Sequence, residues 1–324
     1  MKKFNTLIIG CGNIGGKFDS SKQGIQRPLT HAGAYRNHGG FDLLACVDVD
    51  SDQAQTFQRE WGIKESYLPT ELSSLGKGAF DVISICSPTR FHEEHLLAAA
   101  KLQPKLVFCE KPLTETSLKS NEINNLYEAI GIVLAVNYTR RWDPVVIKMG
   151  EDISSGVWGE VRSVIGIYSK GILNNGSHLI DLLIFLFGTI SVVYAGKRTY
   201  DYSPEDPTIS GLLQTSLGIP IHLVGGDARD YANFELQIMT SEGIITMENG
   251  GLKWRIRKPQ DSDRFIGYKT LDKALEFEGS YDLAMVGAVD NIYQAIINGD
   301  ALNSSGQTAM QAQYLCEMLF KTSE

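Results

Sequence analysis

The feature that most constrains the fold is a glycine-rich loop that follows an apolar strand at the start of the chain. The short run Thr6–Ile9 leads directly into Gly10-Cys11-Gly12-Asn13-Ile14-Gly15. In a strand–loop–helix unit the first glycine permits a tight turn, the second lets backbone N–H groups approach a pyrophosphate, and the third lets helix and strand pack closely. The anion then lies at a helix N-terminus. The pattern predicts a dinucleotide-binding Rossmann unit whose loop residues bind cofactor: Gly10, Gly12, Asn13, Ile14 and Gly15.

An acidic residue stands where such a unit holds the adenosine ribose. The second predicted strand, Leu43–Val47, ends at Asp48, whose carboxylate can accept hydrogen bonds from ribose hydroxyls. The next residues are Val49 and Asp50, so no cation follows directly to receive a 2′-phosphate. The sequence therefore favours NAD over NADP as the cofactor. The alternative interpretation is an aspartate in a surface turn.

The spacing between the glycine loop and Asp48 is unusual. Gly15 and Asp48 are 33 positions apart, whereas about 20 are usual in this unit. The excess lies in the polar stretch Gly16–Leu29, which predicts an insertion that interrupts the first helix. Thr30 is then placed to cap a resumed helix. The insertion either lies at the mouth of the cofactor site, in reach of substrate, or forms a surface loop.

Strands and helices alternate in the first part of the chain, and strands follow one another in the second. Apolar runs predict buried strands at Thr6–Ile9, Leu43–Val47, Val82–Cys86, Leu106–Cys109 and Ile132–Val136. Helices are predicted between them, so the fold class is α/β with a doubly wound parallel sheet. After residue 140 successive strand patterns predict a second α/β domain with a large, mostly antiparallel open sheet. The boundary is predicted near Tyr138, which gives a Rossmann domain over 1–138 and a substrate-binding and oligomerisation domain over 139–324.

Length and composition indicate the number of domains, the kinds of partner to expect and the cellular location. The chain of 324 residues suits two domains. Its formal charge is −8 and it contains no basic run, which argues against a nucleic-acid partner. No apolar segment is long enough to span a bilayer, and we expect neither a secretory signal nor a membrane partner. The five cysteines have no metal spacing, so we expect reduced thiols, no metal site and a cytoplasmic protein.

Two segments carry residue types suited to proton transfer. Glu110-Lys111-Pro112 follows a strand of the parallel sheet, whose carboxyl ends face the ligand crevice. A lysine can hydrogen-bond an alcohol or ketone oxygen, or move a proton. The second segment is a Gly- and Asn-rich turn that leads into an apolar helix, with His178 in the first turn and Ser177 as its cap. His178 is suited to acid/base chemistry near neutral pH, and a purely structural histidine is the alternative.

Taken together, these motifs make the chain resemble the glucose–fructose oxidoreductase, inositol dehydrogenase and MocA-like family. The resemblance rests on the glycine loop and on four further motifs in the same order: Ser87-Pro88-Thr89-Arg90-Phe91-His92, Glu110-Lys111-Pro112, Asn137-Tyr138-Thr139-Arg140-Arg141-Trp142 and Gly176-x-His178-x-x-Asp181. It implies hydride transfer at nicotinamide C4, with Lys111 on the reacting oxygen and His178 as acid or base. It places further cofactor contacts at Ser87, Pro88, His92, Glu110, Lys111 and Asn137, and it implies a homodimer or homotetramer.

One position departs from the family pattern. Many members have Asp four residues before the histidine, where this chain has Asn174. An amide can donate and accept hydrogen bonds but carries no charge. We therefore predict that Asn174 belongs to the catalytic group by positioning substrate or ribose, not as part of a charged relay.

The leading hypothesis is an NAD-dependent oxidoreductase acting on a sugar, a cyclitol or a nucleotide-linked sugar, with Lys111 and His178 as the acid/base pair. One alternative is a non-enzymatic sensor or regulator that binds cofactor without turnover. The other is a redox-neutral enzyme in which a bound NAD cycles within each turnover. Retention of both Lys111 and His178 favours an enzyme, because a sensor needs no acid/base pair.

Overall fold

The structure, a computed structural model, describes residues 2–20 and 26–324. The chain divides into two compact units. The first comprises the chain up to Trp142 together with Asp282–Met310, and the second comprises Asp143–Tyr281 together with Gln311–Glu324. The first boundary lies four residues beyond the position predicted from sequence. A later segment, however, returns to the first unit, so neither unit is one continuous stretch of chain.

A parallel six-stranded sheet forms the centre of the first unit, and its strand order is β3-β2-β1-β4-β5-β6. The strands are β1 (Phe4–Ile9), β2 (Phe41–Val47), β3 (Glu65–Tyr67), β4 (Val82–Ile85), β5 (Leu106–Cys109) and β6 (Val133–Val136). Every residue of β4 and β5 is buried, as continuous apolar runs in a covered parallel sheet require. The doubly wound α/β fold predicted from the sequence is confirmed.

Helices connect these strands, and their ends follow the capping chemistry of the sequence. They are α1 (His31–His38), α2 (Ser51–Trp61), α3 (His92–Leu102) and α4 (Ser117–Ile130). The side chain of Thr30 accepts the Gly33 N–H at the start of α1, as predicted, and Asp50 and Thr116 cap α2 and α4 in the same way. The helices α1, α2 and α4 each end at a glycine in the left-handed region.

The second unit contains an eight-stranded sheet with the order β16-β13-β12-β11-β7-β10-β9-β8. Its strands are β7 (Val161–Tyr168), β8 (Ile190–Thr199), β9 (Thr208–Thr215), β10 (Pro220–Gly225), β11 (Phe234–Thr240), β12 (Gly243–Glu248), β13 (Lys253–Arg257) and β16 (Leu275–Glu278). A separate hairpin pairs β14 (Pro259–Asp261) with β15 (Lys269–Leu271). All pairs in the large sheet are antiparallel except β7 with β10. The mostly antiparallel sheet predicted for this part of the chain is confirmed.

Two helices accompany this sheet within the second unit, α5 (Pro144–Ser154) and α6 (Ser177–Phe187). The start of α5 carries a strong signal, because Asp143 accepts the Val145 N–H and Pro144 occupies the first helical turn. The sequence reading did not assign α5, although its start signal is present. Most of α6 is buried, which explains its mostly apolar sequence.

The last two helices explain why neither unit is one continuous stretch of chain. They are α7 (Ala284–Asn298) and α8 (Gly306–Thr322). The apolar face of α7 belongs to the core of the first unit, where the Tyr293 ring lies 5.4 Å from Phe4 and 5.9 Å from Phe41. A boundary read along the chain misses this return, because local pattern does not show which core an amphipathic helix joins.

Within residues 2–20 and 26–324, no helix is both long and apolar enough to cross a membrane. The same residues contain no group of three or more His, Cys, Asp or Glu side chains placed to hold a metal ion.

Candidate cofactor and substrate site

The glycine loop follows β1, and its three glycines are required for different physical reasons. Gly10 has a φ of +101°, and a Cβ built there would lie 2.6 Å from the Cys86 carbonyl carbon. A Cβ on Gly15 would lie 2.3 Å from the Gly10 oxygen. A Cβ on Gly12, in contrast, would meet no heavy atom within 4 Å. Gly10 and Gly15 are therefore required by the protein's own packing, whereas Gly12 borders open space, which fits the close approach of a pyrophosphate.

The second half of the loop lies in a single π-helical turn, Asn13–Lys17, and no long helix follows directly. The regular helix α1 begins only at His31, so the Gly16–Leu29 insertion interrupts the first helix as the spacing predicted. Asp19, which is fully buried, accepts the N–H groups of Leu29 and Thr30 at 2.8 and 2.9 Å and fixes the return of the chain. Residues 21–25 of the insertion lie outside the described residues, and its contact with substrate stays a prediction.

Asp48 lies at the carboxyl end of β2, beside the glycine loop. One carboxylate oxygen accepts the Cys11 N–H at 2.8 Å and the Gln53 amide at 2.8 Å, and the other accepts the Asp50 N–H at 3.0 Å. The side chain is 9% exposed, whereas Val49 is 80% exposed. The carboxylate thus ties the loop to the end of β2 and places a negative charge where an adenosine ribose is expected.

The tripeptide Glu110-Lys111-Pro112 follows β5 directly. Glu110 is 15% exposed in its side chain and accepts hydrogen bonds from His31 Nε2 at 2.9 Å and Asn137 Nδ2 at 2.7 Å. Burial raises the pKa of Glu110, but hydrogen bonds from His31 and Asn137 and the charge of Lys111 together hold it below its usual value. Glu110 is therefore an anion beside Lys111, which is half-buried.

The segment after β4 lies against the same tripeptide. His92 is 1% exposed, and its two ring nitrogens contact the carbonyl oxygens of Pro112 and Ser87, each at 2.8 Å. Ser87 Oγ contacts His95 at 2.9 Å, and Pro88 is exposed. The structure gives His92 a supporting position that joins Ser87 to Pro112. Direct contacts from Ser87, Pro88 and His92 to a cofactor stay predictions.

In the second unit, a π-helical turn over Gly171–Gly176 leads into α6. Asn174 is half-buried in this turn, and His178 is half-buried in the first turn of α6. Ser177 is the first helical residue and its hydroxyl donates to the Asn174 carbonyl oxygen at 3.0 Å, so its predicted role as cap is wrong. The helix starts directly from the π-helical turn, with Gly176 at the cap position.

Sequence reasoning missed two residues that organise these segments. The carboxylate of Asp206, 8% exposed, accepts the N–H groups of Leu173 and Asn174 at 2.7 and 2.9 Å. His31, fully buried, reaches Glu110 from α1. The only sequence signal for Asp206 is a turn-like Ser-Pro-Glu-Asp-Pro run. His31 has no sequence signal except its position directly after the helix cap Thr30.

Comparison with known proteins bears on both domains. Residues 4–138 match the model of an oxidoreductase family described by its NAD-binding Rossmann fold. D-glucoside 3-dehydrogenase of Escherichia coli strain K12 is 28% identical over 191 residues, which cover 55% of this chain and 50% of that protein. Inositol 2-dehydrogenase of Corynebacterium glutamicum is 26% identical over 279 residues, 80% of each chain. The chain spans about half the length of the first curated relatives that it matches.

The likeness in fold extends over the whole chain. The solved structure of levoglucosan dehydrogenase in complex with NADH and levoglucosan aligns with a TM-score of 0.81 at 16% identity, covering 99% of this chain and 97% of that one. At this identity the alignment shows the shared two-domain fold alone. In its matched Rossmann domain, in the order of its motifs and in this fold, the chain is similar to the glucose–fructose oxidoreductase, inositol dehydrogenase and MocA family of oxidoreductases, and the family match itself covers residues 4–138.

Proposed function

We propose that this chain is an NAD-dependent oxidoreductase that transfers hydride between nicotinamide and a carbinol or ketone carbon of a sugar or cyclitol. The observation that carries the proposal is the meeting of three features at one edge of the parallel sheet. The glycine loop follows β1, Asp48 follows β2 and Lys111 follows β5. Because the carboxyl ends of parallel strands share an edge, a cofactor-binding surface and a proton-transfer group stand on one crevice.

The residues present fit a dinucleotide. Gly12 leaves room for the pyrophosphate, and Asp48 offers a carboxylate to the adenosine ribose. We assign further contacts to Asn13, Ile14, Ser87, Pro88 and Asn137 on the family resemblance. NAD is favoured over NADP because the Asp48 charge repels a 2′-phosphate and no Lys or Arg follows it directly in the chain. When bound, the nicotinamide accepts or supplies the hydride.

The protein's own residues must then remove or supply the proton of the reacting hydroxyl. Oxidation of an alcohol removes a hydride from carbon and a proton from oxygen. We propose that Lys111 hydrogen-bonds the reacting oxygen. We also propose that Lys111 and His178 exchange the proton of that oxygen as the acid/base pair. Asn174 is assigned to a neutral hydrogen bond that orients substrate or ribose. Glu110 keeps a negative charge beside Lys111, which holds the ammonium group in place.

The names of the relatives support the substrate class. D-glucoside 3-dehydrogenase and inositol 2-dehydrogenase are named for oxidation of ring hydroxyls on a sugar and on a cyclitol. A sugar or cyclitol hydroxyl is therefore proposed as the reacting group here. A nucleotide-linked sugar is the alternative substrate, and it belongs in the same substrate screen.

Replacement of Lys111 by Met tests the proposal. The assay follows absorbance of reduced nicotinamide with NAD or NADP and pooled sugars, cyclitols and nucleotide sugars. We expect kcat to fall by about a hundredfold or more, the usual range for loss of a general acid/base. The Kd for cofactor should change little. The matched control is Lys101→Met, which removes an exposed lysine at the end of α3. Unchanged turnover in Lys111→Met would refute the assignment.

A further inference from the structure

A buried row of hydrogen-bonded side chains runs behind the Glu110-Lys111-Pro112 tripeptide. The Tyr35 hydroxyl contacts Ser84 Oγ at 2.7 Å, and Ser84 Oγ contacts His31 Nδ1 at 3.1 Å. His31 Nε2 contacts Glu110 Oε1 at 2.9 Å. Tyr35, Ser84 and His31 are all fully buried. The row therefore links α1 and the centre of β4 to the residue immediately before Lys111.

The chemistry of Glu110 fixes the direction of the hydrogen bond at its end of the row. Glu110 is an anion and can only accept, so His31 Nε2 must carry the donated proton. Burial raises the pKa of Tyr35 above its usual value, so its hydroxyl stays protonated within the row. When His31 is protonated on Nε2 alone, the Ser84 hydroxyl donates to Nδ1 and the Tyr35 hydroxyl donates to Ser84. The contacts at both ring nitrogens hold the His31 ring in one orientation, with Nε2 donating to Glu110.

The buried Tyr35 end of the row argues against a proton wire to solvent and favours a role in positioning Glu110. A proton wire must reach water, but Tyr35 and Ser84 have no exposed surface. The His31 ring is also packed 4.5 Å from the ring of Phe108 in β5. A closed, rigid row cannot deliver protons to solvent, but it can fix the position of the carboxylate in which it ends.

We propose that His31 is a positioning residue of the reaction, which sets the Glu110 carboxylate and through it the Lys111 side chain. The inference rests on the proposed function of Lys111. Asn137, 2% exposed, holds the same Glu110 oxygen from the end of β6 at 2.7 Å. Two fixed donors on one carboxylate oxygen set the orientation of the Glu110 carboxylate, whose charge interacts with Lys111.

Two substitutions separate the contacts of the His31 ring. His31→Gln places an amide N–H near the position of Nε2 and keeps a donor for Glu110. His31→Asn places its amide near Nδ1, where it reaches Ser84 but not Glu110. We expect kcat in the Asn variant to fall by about tenfold or more, equivalent to about 1.4 kcal/mol in the barrier. The Gln variant should keep most of kcat. The control is His38→Gln on the same helix, which should leave kcat unchanged.

The readouts distinguish positioning from a structural role. In the Asn variant the substrate KM and the cofactor Kd should stay within about twofold. The acid limb of its kcat profile should move to higher pH, because a contact that lowers the pKa of Glu110 is lost. Equal loss of kcat in both variants, in step with a loss of unfolding free energy, would overturn the proposal. So would wild-type kcat in the Asn variant. If Lys111→Met retained turnover, the proposed function itself would fail, independently of His31.

A measurement on the unaltered protein covers the case in which the variants do not fold. The protein with bound NAD is labelled with ¹⁵N in its six histidines, and the ring nitrogens are read by NMR. We expect His31 Nε2 to be protonated, either alone or together with Nδ1. A His31 ring protonated only on Nδ1 cannot donate to Glu110, and that result would overturn the proposal.

Discussion

Asp206 offers the sharpest test of how the second unit holds its candidate catalytic turn. Its two carboxylate oxygens accept the Leu173 and Asn174 N–H groups at 2.7 and 2.9 Å. The chain at Gly171 passes so close that a Cβ there would lie 2.2 Å from Asp206 Oδ2. We expect Asp206→Asn to loosen the Gly171–Gly176 turn, because an amide presents one acceptor oxygen and turns its NH₂ group toward the other N–H.

The size of the effect follows from these contacts. A hydrogen bond to a charged group contributes about 1.5–3 kcal/mol, and an unpaired buried N–H adds a desolvation cost. One lost bond and one weakened bond at a site only 8% exposed give about 2–4 kcal/mol of unfolding free energy. The urea slope of a chain of 324 residues lies at the upper end of the range of about 1–3 kcal/mol/M, because the slope grows with protein size, so the midpoint of the transition should fall by about 1 M.

The assay combines urea unfolding, followed by tryptophan fluorescence, with steady-state kinetics. The turn carries Asn174 and leads into the helix of His178, so kcat should fall together with stability. The matched control is Asp261→Asn, which removes the same charge from an exposed position in β14 of the same unit. If Asp206→Asn gave the midpoint and kcat of the Asp261 variant, the carboxylate would not hold the turn and the reasoning would be refuted.

Two further predictions concern the cofactor site. Gly12→Ala should leave the unfolding free energy nearly unchanged, because the added Cβ meets no heavy atom within 4 Å and the φ of Gly12 is −82°. The same substitution should weaken cofactor binding by about tenfold, or 1.4 kcal/mol. Gly15→Ala should lower the unfolding free energy by about 1–3 kcal/mol, because the added Cβ clashes with the Gly10 oxygen. Urea unfolding measures the stability of both variants, and titration of NADH fluorescence measures their cofactor binding. Equal behaviour of the two variants would contradict the assignment of Gly12 to cofactor binding and of Gly15 to packing. Asp48→Asn should raise the NADP-to-NAD ratio of kcat/KM about fivefold or more, because a nearby like charge costs at least about 1 kcal/mol. The control is Asp50→Asn, which removes an exposed charge two residues away, and an unchanged ratio in Asp48→Asn would argue against the ribose assignment.

The first domain was predictable from the sequence because its signals are local. The apolar strand, the three glycines and the acidic end of the second strand each have a physical reason to occur where they do, and their spacing exposed the insertion before α1. Successive strand patterns also predicted the antiparallel sheet of the second domain, and the family motifs supplied its candidate site residues. The three-residue strand β3 is absent from the predicted strands of the first domain because it contains no apolar run.

The sequence by itself determined which residues are proposed to approach a cofactor, since a glycine loop and strand ends are defined along the chain. Only the tertiary structure decided that α7 completes the core of the first unit, that Asp206 holds a turn some thirty positions earlier in the chain, and that His31 reaches Glu110 across 79 positions. These are contacts between groups distant in sequence, and no local period or capping signal encodes them. The residues that orient a site are therefore harder to predict than the residues that form it.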